Sequence, residues 1–367
     1  MKALFINSVC GIRSTGRIVV SLVEKLEADG IECRVAYGRE FVPSEYSKIA
    51  YRICSALKAR VFDNEGFNAK KATQRFLDWA ERFDPDILWL HNLHGYYINV
   101  GMLFDWIKGR PDMRVRWTLH DCWAFTGHCA HFSFVGCEQW KTSCEKCSQK
   151  GEYPKSLFSD NCKKNFLRKK EAFCGVKNMI LITPSAWLAG LAKKSFLKEY
   201  PVEVVHNTID ETVFKPTASE FRKEYGLENK TLILGVASAW SEKKGLFDFL
   251  RLSELLDNAY EIVLVGLTKE QLRGLPKNVC GIERTNSKKE LAQIYSAADV
   301  FVNPTYEDTF PTVNLEAAAC GTPVITYDTG GCPETTSPES VVPQGDLNAL
   351  MAKIKEMAKI KELKETK

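Results

Sequence analysis

Two carboxylates, Asp308 and Glu316, bracket the turn in the segment YEDTFPTVNLEAAACG (306–321). An apolar strand pattern, DVFVNPT (299–305), runs directly into it. One acid therefore falls at the C-terminal end of a strand and the other inside the next helix. Pro311 suits a first helical turn, where its missing N–H costs nothing. The amides of Thr312, Val313 and Asn314 would then be free, and such amides attract anions. An anion site flanked by carboxylates fits a ligand with phosphate and many hydroxyls, such as a nucleotide sugar. A plain strand–loop–helix with a capping Asp and a solvated Glu has the same pattern.

Three further stretches carry candidate chemistry. In ASAWSEKKGL (237–246), Lys243 and Lys244 precede Gly245, and adjacent lysines can neutralise a diphosphate. A solvated helix face reads identically. In NSVCGIRSTG (7–16), Gly11 and Gly16 are spaced as in a phosphate loop, but Arg17 stands where the Lys-Ser/Thr pair should begin. What remains is a flexible turn that delivers backbone N–H groups at a helix start. The third is Cys-rich. Between 121 and 151 lie Cys122, Cys129, Cys137, Cys144 and Cys147, with His128 and His131. Cys144 and Cys147 form a C-x-x-C pair. With Cys129 and Cys137 upstream, four thiolates could hold a structural zinc tetrahedrally. The spacing fits none of the common ferredoxin patterns, and reduced buried thiols are the plain alternative.

These residues need a scaffold, and the hydrophobic pattern supplies one. Strand candidates are 3–7, 33–38, 87–91, 115–121, 179–185 and 202–207, then 231–237, 261–266, 279–283, 299–304 and 323–328. Several are nearly continuous apolar runs, the mark of parallel strands buried on both faces. Helical stretches alternate with them. In 15–30, Val19, Leu22, Val23 and Leu26 make one stripe that ends on Gly30. The expectation is an α/β chain of two doubly wound, Rossmann-like domains. They would span 1–212, with the Cys-rich insertion 121–151, and 213–346. The hinge falls near Phe214–Pro216, and a last helix from about 347 may return to the first domain. In such sheets ligands bind beyond the carboxyl ends of the strands. The unusual residues gather there: His94, His120–Asp121, Ser185, His206–Asn207, the lysine loop and Asp308 all follow strand candidates.

Composition narrows the function classes. The chain has 367 residues, enough for two cores. Its 45% hydrophobic and 26% charged content is that of a soluble globular protein. A net charge of +4 without aromatic–basic interleaving argues against nucleic acid. No apolar run is long enough to span a bilayer, and a strand begins at the N-terminus, so the expected location is cytoplasmic. There, 13 cysteines do not imply disulfides. Basic clusters at 163–170, 193–198 and in the Lys-rich final helix could rest on anionic lipid at the inner membrane face.

Taken together the residues resemble the retaining glycosyltransferases of the GT-B fold, in the large glycogen-synthase-like family 4. The resemblance covers nearly the whole chain. Its most specific part is the E-x7-E signature with its apolar continuation, here Asp308 to Glu316 and then AAACGTPVI (317–325). HNTID (206–210), FKP (214–216), Lys244–Gly245 and GGCPE (330–334) add to it. The chain departs from the family pattern in having Asp at the first acid, beside Glu307. It also has Ala239 or Trp240 where an Arg is usual. The TLHDCWAFTGHC run (118–129) narrows the resemblance to bacterial surface-polysaccharide enzymes.

The resemblance implies two domains facing a central cleft and assigns roles. Glu316 would accept from the ribose, and Asp308 would hold a donor-sugar hydroxyl. Lys243, Lys244 and the amides near Thr312 and Val313 would hold the diphosphate. Gly16 would bring the first loop close, Arg284 would border the base, and His120 would stand near the reacting carbon. It implies no cofactor for catalysis. The expected partners are a nucleotide sugar and an oligosaccharide or lipid-linked acceptor, with an anionic membrane surface and no nucleic acid. A nucleotide-sugar 2-epimerase and a zinc-bearing nucleic-acid-binding module are the rival readings.

Overall fold

The computed structural model describes residues 1–53, 64–156 and 159–365, with side chains to 359. Tertiary contacts divide the chain into two units, Met1–His206 and Asn207–Lys367. Each is a parallel sheet covered on both faces by helices.

In the first unit the strands are β1 (Lys2–Asn7), β2 (Glu32–Tyr37), β3 (Ala50–Arg52), β4 (Ile87–Leu90), β5 (Arg114–Thr118), β6 (Met179–Thr183) and β7 (Val202–Val204). They pair in the order β3-β2-β1-β4-β5-β6-β7, all parallel. The helices are α1 (Arg13–Ala28), α2 (Lys70–Phe83), α3 (Val100–Lys108), α4 (Cys162–Phe173) and α5 (Ala186–Ala192). One apolar layer holds Leu4, Leu88, Phe104 and Trp117; the other holds Phe5, Val19, Val23 and Val35. Alternate residues of β1 feed opposite layers, which is why the strand reads as continuously apolar.

The second unit contains α6 (Phe221–Glu224), β8 (Thr231–Val236), α7 (Leu246–Leu255), β9 (Tyr260–Val265), α8 (Lys269–Arg273), β10 (Val279–Ile282), α9 (Lys288–Ala297), β11 (Val300–Asn303), α10 (Thr312–Ala319), β12 (Val324–Tyr327), β13 (Val341–Val342) and α11 (Leu347–Glu365). Its strand order is β10-β9-β8-β11-β12-β13, again parallel throughout. Order reverses beside β8, where β9 lies on one side and β11 on the other. That switch point is where such sheets offer a binding crevice.

Every expected strand exists, and two short edge strands, β3 and β13, were not anticipated. The contact boundary falls between His206 and Asn207. Phe214, expected near the hinge, is buried with Phe221 and Tyr295 in the second core. The final helix buries Leu347, Leu350 and Ile354 against β11, β12 and α7, so it completes the second unit's own core. Between α3 and α4 runs a long loop region. From 121 to 161 the described regular structure is two 3-10 turns, Trp123–Phe125 and Gln139–Lys141.

Candidate functional site

At the β8/β11 switch point the lysine loop meets the acidic loop. A 3-10 turn carries Lys243 and Lys244 and stops at Gly245, whose φ is +77°. A Cβ on Gly245 would stand 2.2 Å from the Pro304 carbonyl oxygen, so only glycine lets this loop lie against the end of β11. The Lys243 carbonyl accepts from the Tyr306 amide (2.8 Å) and the Thr305 hydroxyl (3.1 Å), which locks the two loops together.

The side chains pair across this seam. Lys244 Nζ donates to Asp308 at 2.7 Å, and Lys243 Nζ stands 3.2 Å from Glu307. Burial opposes the Lys244 charge, but the Asp308 carboxylate outweighs it and raises the lysine above its ordinary range. Asp308 also accepts from the Phe310 amide at 3.1 Å. Gly330, at φ +57°, fits under Asp308, where a Cβ would meet its carbonyl oxygen at 2.0 Å.

Helix α10 follows with Pro311 as its N-cap and no side-chain cap. The expected run of three open amides is shorter, because the Asn314 amide turns back to the Pro311 carbonyl at 3.2 Å. Thr312 and Val313 open the helix. Its start is fixed by buried Asn314, which accepts from Asn303 (2.9 Å) and donates to Thr335 (2.7 Å). Glu316 lies one turn further, half-buried, with its carboxylate held by the Tyr295 hydroxyl at 3.1 Å. Trp240, where a cation was wanted, is buried with its indole N–H on the Val265 carbonyl. Arg284 is exposed in the loop after β10.

Gly16 and His120 belong to the first unit. Gly16 lies inside α1, which starts earlier than expected, at Arg13. It is buried against its own loop; a Cβ would meet Val9 at 3.1 Å and the Gly11 nitrogen at 3.2 Å. Its role here is close packing of helix on loop. His120 follows β5, and its Nε2 hydrogen-bonds His91 Nδ1 at 2.9 Å, with the rings stacked 5.2 Å apart. Burial lowers His120 to about 4 and holds His91 well below its ordinary range, so both rings are neutral near pH 7. Beside them His94 links Asp121 (2.7 Å) to Tyr153 (3.0 Å). Burial opposes ionisation of Asp121, but His94 outweighs it and holds the acid at about 2. Fully buried Glu65 takes the Gly95 and Tyr96 amides at 2.6 and 2.9 Å and so shapes the loop carrying His94. Nothing in the local sequence marks Glu65 or Tyr153, which arrive from distant segments.

Three of the expected cysteines, Cys129, Cys144 and Cys147, do come together. Their fourth neighbour is Cys162, at the start of α4. All four are free thiols, and a Cβ on Gly127 would meet Cys162 Sγ at 2.6 Å and Cys144 Cβ at 2.9 Å. Cys137 is partly buried against the same apolar cluster, and its carbonyl accepts from the Trp140 indole N–H at 3.1 Å. A signal existed: Cys129 precedes Cys144 by the same interval as Cys147 precedes Cys162.

Two parallel sheets, each with helices on both faces, define an α/β protein with two Rossmann-like domains, the GT-B type. Solved structures share it. Sucrose-phosphate synthase of Thermosynechococcus elongatus aligns with a TM-score of 0.70 over 98% of this chain and 90% of that one, at 18% identity. Anabaena HepE in complex with UDP aligns at 0.67 over 98% and 90%, at 15% identity. At such identities the likeness is one of fold. Residues 217–366, within the C-terminal unit, match the family "Glycosyl transferases group 1". A putative colanic acid biosynthesis glycosyl transferase of Escherichia coli K12, WcaC, is 27% identical over 66% of this chain and 59% of its own length. An N,N'-diacetylbacillosaminyl-diphospho-undecaprenol alpha-1,3-N-acetylgalactosaminyltransferase of Campylobacter jejuni is 30% identical over 32% of each. The chain thus spans less than two thirds of the length of these relatives.

Proposed function

We propose that the chain is a retaining glycosyltransferase. It moves a sugar from a nucleotide-sugar donor to a lipid-linked or oligosaccharide acceptor in cell-surface polysaccharide synthesis. The observation that carries the reading is the paired seam Lys244–Asp308 and Lys243–Glu307 at the switch point, with Glu316 one helical turn away. Two cations and an uncapped helix start suit a diphosphate, and three carboxylates suit hydroxyls. The group 1 family match of the same unit supports it, as does the UDP bound by the structurally similar HepE. The names of the Escherichia coli and Campylobacter relatives support the polysaccharide and lipid-diphosphate setting.

In this reading the lysines and the α10 amides stabilise the departing diphosphate, and Asp308 holds the sugar. No step calls for a divalent ion. No helix among the described residues is long and apolar enough to cross a membrane. The protein would work in the cytoplasm, peripheral at the inner face, held by exposed lysines of α4 and the 193–198 segment.

Titration calorimetry against a panel of nucleotide sugars and their nucleoside diphosphates tests the donor half. At least one pair should bind at micromolar strength or better; no heat with any would sink the proposal. NMR of the product then reads the anomeric configuration, expected to match the donor. Conversion of the donor sugar without acceptor would favour a 2-epimerase instead.

A further inference from the structure

The proposed sugar transfer leaves one polar chain of the first unit without a task. Strand order in that sheet reverses beside β1, which has β2 on one side and β4 on the other. The loops after β2, β4 and β5 carry Arg39, His94 and Asp121, and Tyr153 comes from the loop before α4. Asp121 Oδ2 lies 2.7 Å from His94 Nε2, and its Oδ1 accepts from the Trp123 amide at 2.9 Å. His94 Nδ1 lies 3.0 Å from the Tyr153 hydroxyl oxygen, and Arg39 donates to that oxygen at 3.1 Å. The group gathers beyond the carboxyl ends of the strands, where such sheets take ligands.

The chain of bonds has one direction. Asp121 is ionised and can only accept, so the proton of the neutral His94 ring sits on Nε2. The ring's lone pair is then on Nδ1, and the Tyr153 O–H donates to it. Loss of water around the phenol pushes it up, against the pull of Arg39, so it keeps that proton near pH 7. A phenolic oxygen has two lone pairs. Arg39 uses one, and a ligand hydroxyl can use the other.

A network that only braced the fold could make the same bonds, but two observations point to a ligand. Exposure rises along the chain: His94 is 5% exposed and Tyr153 43%. It therefore leads from a buried carboxylate to a residue that a ligand can touch. The loop after β4 is also held in a costly shape. Gly95 and Tyr96 have φ of +117° and +66°, and the second is uncommon for a residue with a side chain. Buried Glu65 fixes that shape through both amides, and the Tyr96 hydroxyl donates to the Lys155 carbonyl at 3.2 Å. A Cβ on Gly95 would stand 3.0 Å from Arg39 Cδ, so the turn also gives the guanidinium room beside Tyr153. Backbone strain kept in place by a buried clamp is found where geometry serves function.

The geometry points to Tyr153, His94 and Asp121 as a proton relay for the acceptor hydroxyl, an inference that rests on the sugar-transfer reading. The acceptor O–H breaks as its oxygen bonds the anomeric carbon. Its proton passes to the Tyr153 oxygen while the Tyr153 proton passes to His94 Nδ1. The sugar–phosphate bond breaks, and its electron pair leaves with the nucleoside diphosphate. Asp121 stabilises the imidazolium, which gives its proton to water once product departs. The phenol is neutral before and after, so no tyrosinate is needed. Asp121 is a positioning residue that keeps the ring proton on Nε2 and the lone pair toward Tyr153.

Release of nucleoside diphosphate from the nucleotide sugar chosen by calorimetry reads this step, with water and a panel of alkyl glycosides as hydroxyl donors. Tyr153→Phe keeps the ring and removes only the oxygen. It should lower kcat about a hundredfold, the lower end of general acid–base help, with donor KM and Tm unchanged. Asp121→Asn should lower kcat as well. In 15N NMR of the neutral ring, wild-type His94 should carry its proton on Nε2, and Asp121→Asn should weaken that preference. Should Asp121→Asn not fold, Tyr153→Phe and the wild-type spectrum still decide. A kcat in Tyr153→Phe within about threefold of wild type overturns the relay, and so does a loss of kcat matched by a fall in Tm. A proton on Nδ1 in place of Nε2 overturns it whatever the rates. A wild type that neither binds nor cleaves any nucleotide sugar removes the sugar-transfer reading and the relay with it. Wild-type turnover that Tyr153→Phe retains removes the relay alone.

Discussion

Lys244 and Asp308 occupy one another at 2.7 Å, and this pairing sets up an exchange. A diphosphate reaching Lys244 has to compete with a carboxylate, and the displaced carboxylate becomes available to a hydroxyl. The two residues should then respond in opposite directions. Lys244→Met should weaken nucleoside diphosphate binding about tenfold or more, the loss of one charge-assisted contact worth ~1.5 kcal/mol. Asp308→Asn should leave that binding equal or tighter, since it removes the competitor, yet lower turnover at least tenfold. Calorimetry and initial rates on the two variants separate these effects, and equal loss of binding in both would contradict the exchange. Glu316→Ala should weaken nucleoside binding about tenfold while a free pyrophosphate competitor is unaffected. His120 behaves differently. Its pKa is depressed from 6.5 to about 4 in the fold, so below 6.5 the unfolded chain binds more protons. Stability is therefore undiminished above 6.5 and falls as pH drops from 6.5 to about 4, by at most about 1.4 kcal/mol per unit for this group. Urea unfolding at stepped pH checks the slope, and a rising stability in that window would refute it. The acids and lysines were legible because each set is contiguous in sequence and ends a strand. Cys162, Glu65 and Tyr153 were not, because folding brings them from remote segments.

At the scale of elements, the site depends on how closely two loops approach at the switch point. Gly245 is one such close place, with a left-handed φ and the Pro304 carbonyl where a side chain would begin. Gly245→Ala should cost about 1–2 kcal/mol from backbone strain alone, and more if the loops separate. In a unit of this size that lowers Tm by several degrees. Separation would also move Lys243 and Lys244 off their acids, so donor affinity should fall with stability. Differential scanning calorimetry with and without nucleoside diphosphate tests both, and an unchanged Tm would show that the seam is slack. The strands themselves were readable because parallel strands buried twice over leave continuous apolar runs. β3 and β13 escaped because strands of three and two residues leave no periodicity to read. α1 begins at Arg13 although that residue has a positive φ and the N-cap Ile12 makes no side-chain bond. Cap chemistry therefore gave no warning of the earlier start.

For the molecule as a whole, surface charge matters more than net charge. The basic run 163–170 is not one solvated stripe. Lys169 turns inward, whereas Lys163, Lys164 and Lys170 are exposed with Leu167 among them. Phe166 of α4 packs edge-on against Phe196, with ring centres 5.2 Å apart, and that contact sets α4 beside the 193–198 segment. Lys193, Lys194 and Lys198 there are also exposed. Two clusters distant in sequence thus lie on neighbouring segments, with an exposed leucine and with Lys163 paired to Glu145 at 2.8 Å. With each cation worth about 1 kcal/mol near an anionic leaflet, six lysines are enough for reversible attachment without a membrane-spanning helix. Co-sedimentation should show binding to vesicles containing phosphatidylglycerol and none to neutral phosphatidylcholine. Binding should fade as salt shortens the Debye length from about 10 Å at 0.1 M toward 3 Å at 1 M. Lys163→Glu with Lys194→Glu should abolish it while nucleoside diphosphate binding, which the proposed function assigns to the other unit, stays unchanged. Binding that ignores salt, or that survives the double reversal, would mean that this patch does not hold the protein to lipid.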